Sequence, residues 1–500
     1  MTPGHRRPAR LALALALAVL VVSACGTTVR LKGSEAYDNA DGLGEAPSTA
    51  GITGSSAVGG SSTTSVLGSS APAVTGSGLA STGSGTLSGP VVTSPDVGGG
   101  IASKSIPPAG PIEVGIVTYG DEGALAAAGF DGAPNFSGEQ IFQAIIKYIN
   151  AHGGFGGHQA DPIYDVFPLV SSTPYATEEQ QACALFTQDH HVVAALSDRP
   201  SFDNVLTSCL ATAHVPLITD VFGYLSQGLF AQYPLYSPSM PSGERASAAW
   251  VTGLQRQGYF TASARVGLAY CDRPTFTAVL PELESDLSAI GVHPAATSAI
   301  ECADDSGISS QIAASVLKFK ASGVDHVLLM DEAILALLWP IAADSQGYTP
   351  RFGLNSNNTP GFVSANVPPA EFHNAIGVGW WPWEDVADVS WPTPNATAAL
   401  CLTAAVQAGL QVDSGGGRAV AMLECGMTSF LLFITRTTAD LSAAGMAGAV
   451  NSFGSSFLSP NAFRTEFGPT RHDGAAAYRD FSYVDSCSCF EYSSPTLYPM

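Results

Sequence analysis

Positive charge is scarce in this chain. Lysine and arginine account for only 20 of the 500 residues, against 42 aspartates and glutamates, and the formal net charge is −22. Binding to nucleic acid depends on clustered lysine and arginine that neutralise phosphates. The acidic balance therefore argues against a nucleic-acid partner, although net charge otherwise bears mainly on solubility.

The motifs of several enzyme classes are also missing. The sequence has no Gly-x-Ser-x-Gly elbow, no His-Glu-x-x-His zinc motif and no P-loop. Its "GGFGG" segment follows a predicted helix rather than a strand, which indicates a turn and not a dinucleotide site. His190 and His191 beside Asp189 are a weak metal or base candidate, and the exposed end of a helix is the alternative. Because catalysis needs a nucleophile and a base within mutual reach, we expect no enzymatic activity and no cofactor.

The N-terminal residues have the three parts of a secretory signal. Arginines precede an apolar stretch from Leu11 to Val22, which is shorter than the ~20 residues that span a bilayer. The following Val-Ser-Ala-Cys resembles the lipobox of bacterial lipoproteins, and this resemblance implies that Cys25 is acylated, for example with palmitate. We expect residues 1–24 to be a signal peptide and the chain to be lipid-anchored at the extracytoplasmic face of the cell membrane. An ordinary signal cut near Ala24 is the alternative.

Aromatic residues are absent between Gly51 and Gly100, where Gly, Ser and Thr fill 32 of 50 positions and Asp96 is the one charged residue. Such a segment cannot bury enough apolar surface to offset its ordering entropy. We predict that residues 25–110 form a disordered tether. At ~5–6 Å × √n, its linker of ~75 residues, from 33 to about 108, reaches about 45–50 Å. An O-glycosylated stalk is compatible with the same composition.

Eight cysteines follow Cys25, an even number that suggests disulfides in an exported chain. Eight cysteines allow 105 pairings. Neighbour order along the chain suggests Cys183–Cys209, Cys271–Cys302, Cys401–Cys425 and Cys487–Cys489. A metal site is the alternative, but Cys-x-Cys without Cys-x-x-Cys or nearby paired histidines matches no zinc spacing. We therefore expect four disulfides and no metal.

From residue 112 onward, short apolar runs rich in β-branched residues alternate with amphipathic segments. "IEVGIVTY" (112–119) predicts a strand, and the next segment predicts a helix with a capping box from Ser137 and Gln140. Further strands are predicted at 162–170, 191–196, 215–219, 264–270, 296–301, 324–330 and 351–355, and helices at 175–189, 202–213, 274–290, 307–322 and 332–346. Strands buried on both faces that alternate with helices form parallel sheets with right-handed crossovers. The pattern predicts an α/β fold with two doubly wound parallel-sheet lobes.

Several segments, taken in order, resemble the type I periplasmic binding proteins, and most of all the branched-chain amino acid and amide binders of ABC transporters. They include "IIKYINAHGGFGGHQ", "VVAALSDRPS", "YPLYSPSMPSGERASA" and "KFKASGVDHVLLM", and the similarity covers residues 112 to about 490. The resemblance implies a hinge of three segments, near 234–241, 376–384 and 463–476. It also implies that lobe I comprises 111–236 and 385–465, and lobe II 237–378 and 474–500. Cys183 and Cys209 stand where the family often links its second and third helices.

The resemblance also implies where a ligand would lie, in a cleft at the carboxyl ends of the strands. The candidates are Tyr119, Ser201, Thr219, Asp220 and Phe222 on lobe I, and Asp272, Phe276, Asp331, Glu332 and Ser356 on lobe II. Ser201 begins a predicted helix, where it could hold a carboxylate or simply cap the helix. In amino acid binders of this family an acid clamps the ammonium group from the loop that here carries Ser356, and Asp331 could substitute.

Three tryptophans stand close together in "GWWPWED" (379–385). In one interpretation Trp380, Trp381 and Trp383 pack in the hinge and core. In the other they lie at the cleft mouth and stack on an apolar or aromatic ligand.

These features predict a monomeric, lipid-anchored solute-binding protein that closes two lobes over a small molecule and delivers it to an ABC permease. An envelope sensor or scaffold with the same fold is the alternative. Both would work by closure, which the ligand favours through contacts from both lobes.

Overall fold

The computed structural model describes residues 110–500 apart from 128, 170, 172, 200, 201, 221, 222, 303–306 and 414. The predictions for the signal peptide, for Cys25 and for most of the tether lie outside the described residues. Two candidate ligand-binding residues, Ser201 and Phe222, also lie outside them.

Lobe I is built on a five-stranded parallel sheet in the order β2-β1-β3-β4-β5. The strands are β1 (Ile112–Tyr119), β2 (Ala160–Phe167), β3 (Ala194–Ser197), β4 (Leu217–Thr219) and β5 (Leu235–Tyr236). Its helices are α1 (Gly123–Ala127), α2 (Gly138–Ala151), α3 (Tyr175–Ala184, continued by a π-helical turn over Leu185–Asp189), α4 (Val205–Thr212), α5 (Gln227–Gln232), and, after the second lobe, α12 (Ala396–Gln407), α13 (Gly415–Thr437) and α14 (Ala443–Asn451). The chain leaves β1 toward β2 on one side and returns to β3 on the other, so the strand order reverses beside β1.

Lobe II is built on an eight-stranded mixed sheet in the order β12-β11-β10-β9-β8-β6-β7, with β13 paired to β11. The strands are β6 (Val266–Cys271), β7 (Ala296–Ile300), β8 (His326–Met330), β9 (Arg351–Asn355), β10 (Ile376–Gly379), β11 (Ala477–Val484), β12 (Cys489–Tyr492) and β13 (Tyr498–Pro499). Its helices are α6 (Gly243–Arg256), α7 (Pro274–Thr277), α8 (Leu280–Ala289), α9 (Ile308–Ala321), α10 (Ala333–Ser345) and α11 (Pro360–Asn366). Here the strand order reverses beside β6.

Most predicted elements agree with the structure within a few residues. Strands β1 and β9 coincide with the predicted 112–119 and 351–355, and Ser137 and Gln140 form the expected capping box. The predicted helix 274–290 is divided into α7 and α8. Pro281 explains the division, because proline lacks an N–H and is tolerated only in the first turn of a helix.

Helix α13 is the one described helix that is long and apolar enough to cross a membrane, with a mean hydropathy of 1.4 in its best window. However, 83% of that window is buried inside the fold. Phe430 on this helix packs against Phe453, Phe457 and Phe467, with ring centroids 5.7, 5.0 and 4.9 Å away. Helix α13 is therefore a core helix of lobe I.

The four disulfides of the structure are those that neighbour order predicts. They are Cys183–Cys209, Cys271–Cys302, Cys401–Cys425 and Cys487–Cys489. The first joins α3 to α4, the second joins the ends of β6 and β7, the third joins α12 to α13, and the last spans the turn between β11 and β12. Each disulfide connects two parts of a single lobe.

Substitution of Phe430 by alanine should lower the free energy of unfolding by about 3–5 kcal/mol, because it removes a buried ring and leaves a cavity. Urea denaturation with the disulfides intact measures this loss. Val406→Ala is the control, because Val406 is 63% exposed and should change stability by less than about 0.5 kcal/mol. Equal losses in the two variants would contradict the assignment of α13 to the core.

Candidate functional site

Three segments of the chain pass between the two sheets: from β5 to α6, from β10 to α12, and from α14 to β11. Asp220, which follows β4, holds the first of them. Its carboxylate accepts hydrogen bonds from Ser237 Oγ (2.6 Å), Ser239 N (2.7 Å), Ser239 Oγ (2.5 Å) and Met240 N (3.2 Å). Both oxygens of Asp220 therefore bind the hinge, and its predicted contact with a ligand stays a prediction.

The third crossing is tied to the first by Asp473. Its carboxylate accepts hydrogen bonds from Ser242 N (2.6 Å) and Arg245 Nε (2.7 Å). The two segments also approach so closely at Gly474 that a Cβ there would lie 2.3 Å from the carbonyl oxygen of Pro238. The hinge therefore requires glycine at this position.

The three clustered tryptophans lie in the second crossing and are buried. Trp381 Nε1 donates to the carbonyl of Ser239 in the first crossing (3.1 Å), and Trp383 Nε1 donates to the carbonyl of Pro460 in the third (2.7 Å). The interpretation of Trp380, Trp381 and Trp383 as hinge and core residues is correct, and the interpretation at the cleft mouth is wrong.

Four more of the predicted ligand-binding residues have other surroundings. Ser356 Oγ accepts hydrogen bonds from two backbone N–H groups of the second crossing (2.7 and 3.3 Å). Asp331 accepts from a backbone N–H of α10 (3.0 Å) and from Asn358 Nδ2 (2.6 Å), and Thr219 Oγ1 donates to a carbonyl of β3 (2.9 Å). Asp272 is exposed. The first three are buried and bonded within the protein, and the ligand contacts predicted for all four stay predictions.

Arg199 is the centre of the remaining candidates. It is the second residue after β3, at the point where the strand order of lobe I reverses. Its guanidinium carbon lies 4.2 Å from the ring centroid of Phe167, 4.1 Å from that of Tyr175 and 6.0 Å from that of the predicted residue Tyr119. Its Nη2 pairs with Glu178. A cation is thus held between aromatic rings at the carboxyl edge of the sheet.

The guanidinium of Arg199 has unused hydrogen-bonding capacity. The residue is only 6% exposed, and its Nε and Nη1 have no hydrogen-bond partner among the described residues. Arginine carries five N–H donors in a planar fork that matches a carboxylate. Because an unsatisfied buried donor costs free energy, this face of Arg199 is suited to an anionic ligand.

Glu332 of lobe II faces Arg199. It is the second residue after β8 and lies close to the point where the strand order of lobe II reverses. Burial raises the pKa of Glu332 to about 8, although the charge of Arg199 acts in the opposite direction. Burial also raises the pKa of Tyr119. The structure therefore brings together two of the predicted residues, Tyr119 and Glu332, around an arginine that the sequence analysis did not single out.

The two lobes are in direct contact beside this group. Phe276 of lobe II is fully buried, with its ring centroid 6.2 Å from that of Phe202 and 5.6 Å from that of Tyr224, both on lobe I. Asn355 Nδ2 donates to the hydroxyl of Tyr224 (2.8 Å), and Asn357 Nδ2 donates to the carbonyl of Gly223 (3.1 Å). Phe276 is thus a third predicted residue at the junction of the lobes, and the arrangement is a closed one.

A cluster of three buried carboxyl groups lies near Arg199 on lobe I. Glu122, Asp198 and Glu424 each offer an oxygen, and these atoms lie within 4.8 Å of one another. Thr118 Oγ1 donates to Asp198 (2.7 Å) and Gly138 N donates to Glu122 (2.7 Å). Both oxygens of Glu424 lack a donor among the described residues.

Three buried charges of one sign repel each other, and the pKa values of the cluster reflect this. Burial raises the pKa of Glu122 to about 8 and that of Asp198 to about 6. Burial, and then the charges of Asp198 and Glu122, raise the pKa of Glu424 well above its ordinary value. The cluster therefore retains protons near neutral pH, or it binds a divalent cation, for which carboxylate oxygens are suitable ligands.

Some of the residues that the sequence analysis missed have a recognisable signal in the sequence, and others have none. Asp198 and Arg199 follow the apolar run "VVAALS" directly, and paired charges at the end of a predicted strand are a usable signal. Glu424 is a lone acid in an apolar helix, where a charged residue is rarely buried without a role. Glu122 gives no such signal.

The sheet of lobe I is parallel, as predicted, whereas the antiparallel strands β11, β12 and β13 make the sheet of lobe II mixed. Two such α/β lobes, joined by three crossings and facing each other at the carboxyl ends of their parallel strands, define the fold of the type I periplasmic binding proteins. The expected fold class is thereby confirmed. No protein-family model matches the chain, and no curated protein matches it.

Solved structures with this fold are similar to the chain at low sequence identity. An ABC transporter solute-binding protein from R. palustris, in complex with 4-hydroxybenzoate, shares 13% identity with a TM-score of 0.57 and covers 78% of this chain and 97% of its own. An ABC transporter substrate-binding protein from Aeropyrum pernix shares 12% (TM-score 0.59; 77% and 95% covered). One from Desulfitobacterium hafniense, in complex with Leu, shares 14% (TM-score 0.53; 76% and 99%).

The carboxyl cluster should make stability depend on pH. Unfolded carboxyl groups titrate near pH 4, whereas the folded pKa values are higher, so the stabilisation present below about pH 4 is lost as the pH rises through the folded values. In EDTA, the free energy of unfolding should fall between about pH 5 and 8, by at most about 1.4 kcal/mol per pH unit for each retained proton. Glu424→Gln should reduce this slope, because glutamine is neutral throughout.

Urea denaturation at several pH values measures the slope. Glu282→Gln is the matched control, since Glu282 is exposed on α8 and its loss should leave the slope unchanged. Parallel profiles for the native protein and Glu424→Gln would show that the cluster does not retain protons.

Proposed function

We propose that this chain is the solute-binding protein of an ABC importer and that its ligand carries a carboxylate. The observation that supports the ligand class is the buried guanidinium of Arg199, whose Nε and Nη1 have no partner among the described residues. A planar carboxylate can accept two parallel N–H donors from such a group. The proposal thus assigns to Arg199 the role that the sequence analysis gave to Ser201.

The surroundings of Arg199 favour a carboxylic acid with an apolar or aromatic body. Phe167, Tyr175 and Tyr119 surround the guanidinium with rings, and aromatic walls bury apolar surface and stack on flat ligands. Glu332 stands opposite and could pair with the ammonium group of an amino acid. The R. palustris and D. hafniense proteins hold 4-hydroxybenzoate and Leu, and both ligands are carboxylic acids.

The permease would recognise the closed form of the two lobes. A ligand that contacts both Arg199 and Glu332 binds the closed form better than an open one, and it shifts the population by that difference in affinity. The contacts of Phe276 with Phe202 and Tyr224 would form during the same movement.

Acylation of Cys25 and the tether of residues 25–110 would keep this receptor at the outer face of the membrane that holds the permease. One acyl chain anchors a protein only marginally, whereas the two chains of a diacylglycerol hold it stably. The tether would let the folded part reach the permease without leaving the membrane surface.

Arg199→Lys should weaken binding of the carboxylate ligand by about 10- to 100-fold. Lysine keeps a positive charge for Glu178 but loses the planar fork, and a hydrogen bond to a charged group contributes ~1.5–3 kcal/mol. Titration calorimetry with the acid found by a thermal-shift screen of amino acids and aromatic acids measures the change.

Two controls accompany this experiment. Arg265→Lys changes an exposed arginine of lobe II and should leave affinity unchanged. The primary amide of the same ligand should bind poorly to the native protein, because it cannot supply a negative charge to Arg199. If no carboxylic acid stabilises the protein, or if acid and amide bind equally, the proposed ligand class is wrong, and the envelope sensor or scaffold becomes the leading alternative.

A further inference from the structure

The Cys487–Cys489 disulfide differs from the other three in its exposure. It lies in the turn between β11 and β12, where Cys487 is exposed and Cys489 is half-buried. Each of the other disulfides contains at least one fully buried cysteine, namely Cys183, Cys271, Cys401 or Cys425. A thiol in solution can therefore reach Cys487 directly, while each of the other pairs has at least one sulfur in the core and none has an exposed cysteine.

This disulfide also contributes little to the stability of the fold. Its two cysteines are separated by 2 positions, whereas the separations in the other pairs are 26, 31 and 24. In the chain-entropy model, stabilisation grows with the length of the loop that a disulfide closes. A cross-link over one intervening residue restricts the unfolded chain least, so this disulfide stabilises the fold less than any of the other three.

The hairpin has other interactions that hold it in place. Phe490, the residue after Cys489, is fully buried, and its ring centroid lies 5.3 Å from that of Phe481 and 5.5 Å from that of Phe372. Strand β12 pairs with β11 from Val484 opposite Cys489 to Phe481 opposite Tyr492. Opening of the disulfide would therefore leave the sheet intact.

The residue between the two cysteines has an unusual backbone conformation. Ser488 has a φ of +54°, in the left-handed region that costs energy for residues other than glycine. Exposed or strained disulfides have higher reduction potentials than buried structural ones, and they are the ones that exchange with external thiols.

A groove gives a thiol-bearing molecule room beside this turn. It has a volume of about 710 Å³, and its walls include Tyr483 and Asp485, which lead into the turn, together with His373 and Arg351. His373 Nδ1 lies 3.0 Å from Asp485 Oδ2. The groove is at the opposite ends of the lobe II strands from Glu332, so it is separate from the cleft.

We propose that Cys487–Cys489 is a thiol–disulfide exchange site that accepts two electrons from external thiols. A thiolate attacks Cys487 Sγ, the Cys487–Cys489 bond breaks, and Cys489 leaves as a thiolate that takes a proton from water. A second external thiolate then attacks the external sulfur of the mixed disulfide and releases Cys487, which is protonated in turn. The external thiols are oxidised to a disulfide, and the cysteine pair is reduced.

The charge beside Cys487 sets which thiols react fastest. Glu491 Oε1 lies 4.0 Å from Cys487 Sγ, and its negative charge repels an approaching anion. The site therefore favours cationic or neutral thiols over those that carry a carboxylate.

The first experiment titrates the oxidised folded protein with dithiothreitol and identifies the alkylated cysteines by mass spectrometry. Cys487 and Cys489 should be half reduced at a concentration about tenfold or more below that needed for the other six cysteines, equivalent to about 30 mV. The thermal midpoint should stay unchanged at that concentration. Reduction of all four pairs together, or reduction of another pair first, would overturn the proposal.

The second experiment compares the rates of reduction by cysteamine, which is cationic, and by mercaptoacetate, which carries a carboxylate. Cysteamine should react several times faster with the native protein, and Glu491→Gln should reduce that preference. Glu282→Gln, a distant exposed charge, should not. An unchanged ratio of the two rates in Glu491→Gln would refute the role assigned to Glu491, because the different thiol pKa values of the two reagents cancel in that comparison. A substitution of both Cys487 and Cys489 by serine should leave the thermal midpoint unchanged, and a large loss of stability would show that the disulfide is structural.

Discussion

The structure depends on how the chain crosses between the two sheets. A segment that leaves one sheet for another loses its strand partners, and buried backbone groups without partners are costly. The three crossings solve this with side chains: Asp220 binds the first, Asp473 joins the first to the third, and the indole of Trp381 joins the first to the second. The position of the lobes, and of everything between them, follows from these bonds.

The same requirement for partners governs the cleft. Arg199 is buried with a carboxylate on one side and rings around it, yet part of its donor fork is unmatched among the described residues. Near Arg199, the carboxyl groups of Glu122, Asp198 and Glu424 lie within 4.8 Å of one another, so three negative charges there would repel each other strongly. A buried polar group is retained in a fold when it has a hydrogen-bond partner, or when its lack of a partner serves a function. These buried charged groups of lobe I lie at the point where its strand order reverses.

Much of the fold could be predicted from the sequence because alternation of apolar runs and amphipathic helices has local causes. The capping box at Ser137 and the limits of β1 needed only a few neighbouring residues. The hinge role of Asp220 could not be predicted, because the fold brings its partners at 237–240 to it. In the sequence, a polar residue after a strand has the same pattern whether it binds a ligand or another part of the chain.

The candidate site was predicted less completely than the fold. Tyr119 and Glu332 were found because they follow strands at the carboxyl edges. Arg199 lies two residues before Ser201 in "VVAALSDRPS", and the ligand contact predicted for this loop was the hydroxyl of Ser201. The cluster of Glu122, Asp198 and Glu424 joins a loop, a strand end and a helix, and no local pattern links such distant positions.

The disulfides have a mechanical consequence. All four disulfides among the described residues close within a single lobe, so none of them cross-links the two lobes. Within the described part of the chain, the three passages of the main chain are the covalent connections between the lobes. The disulfides therefore stiffen each lobe and leave the hinge angle between them free of any cross-link.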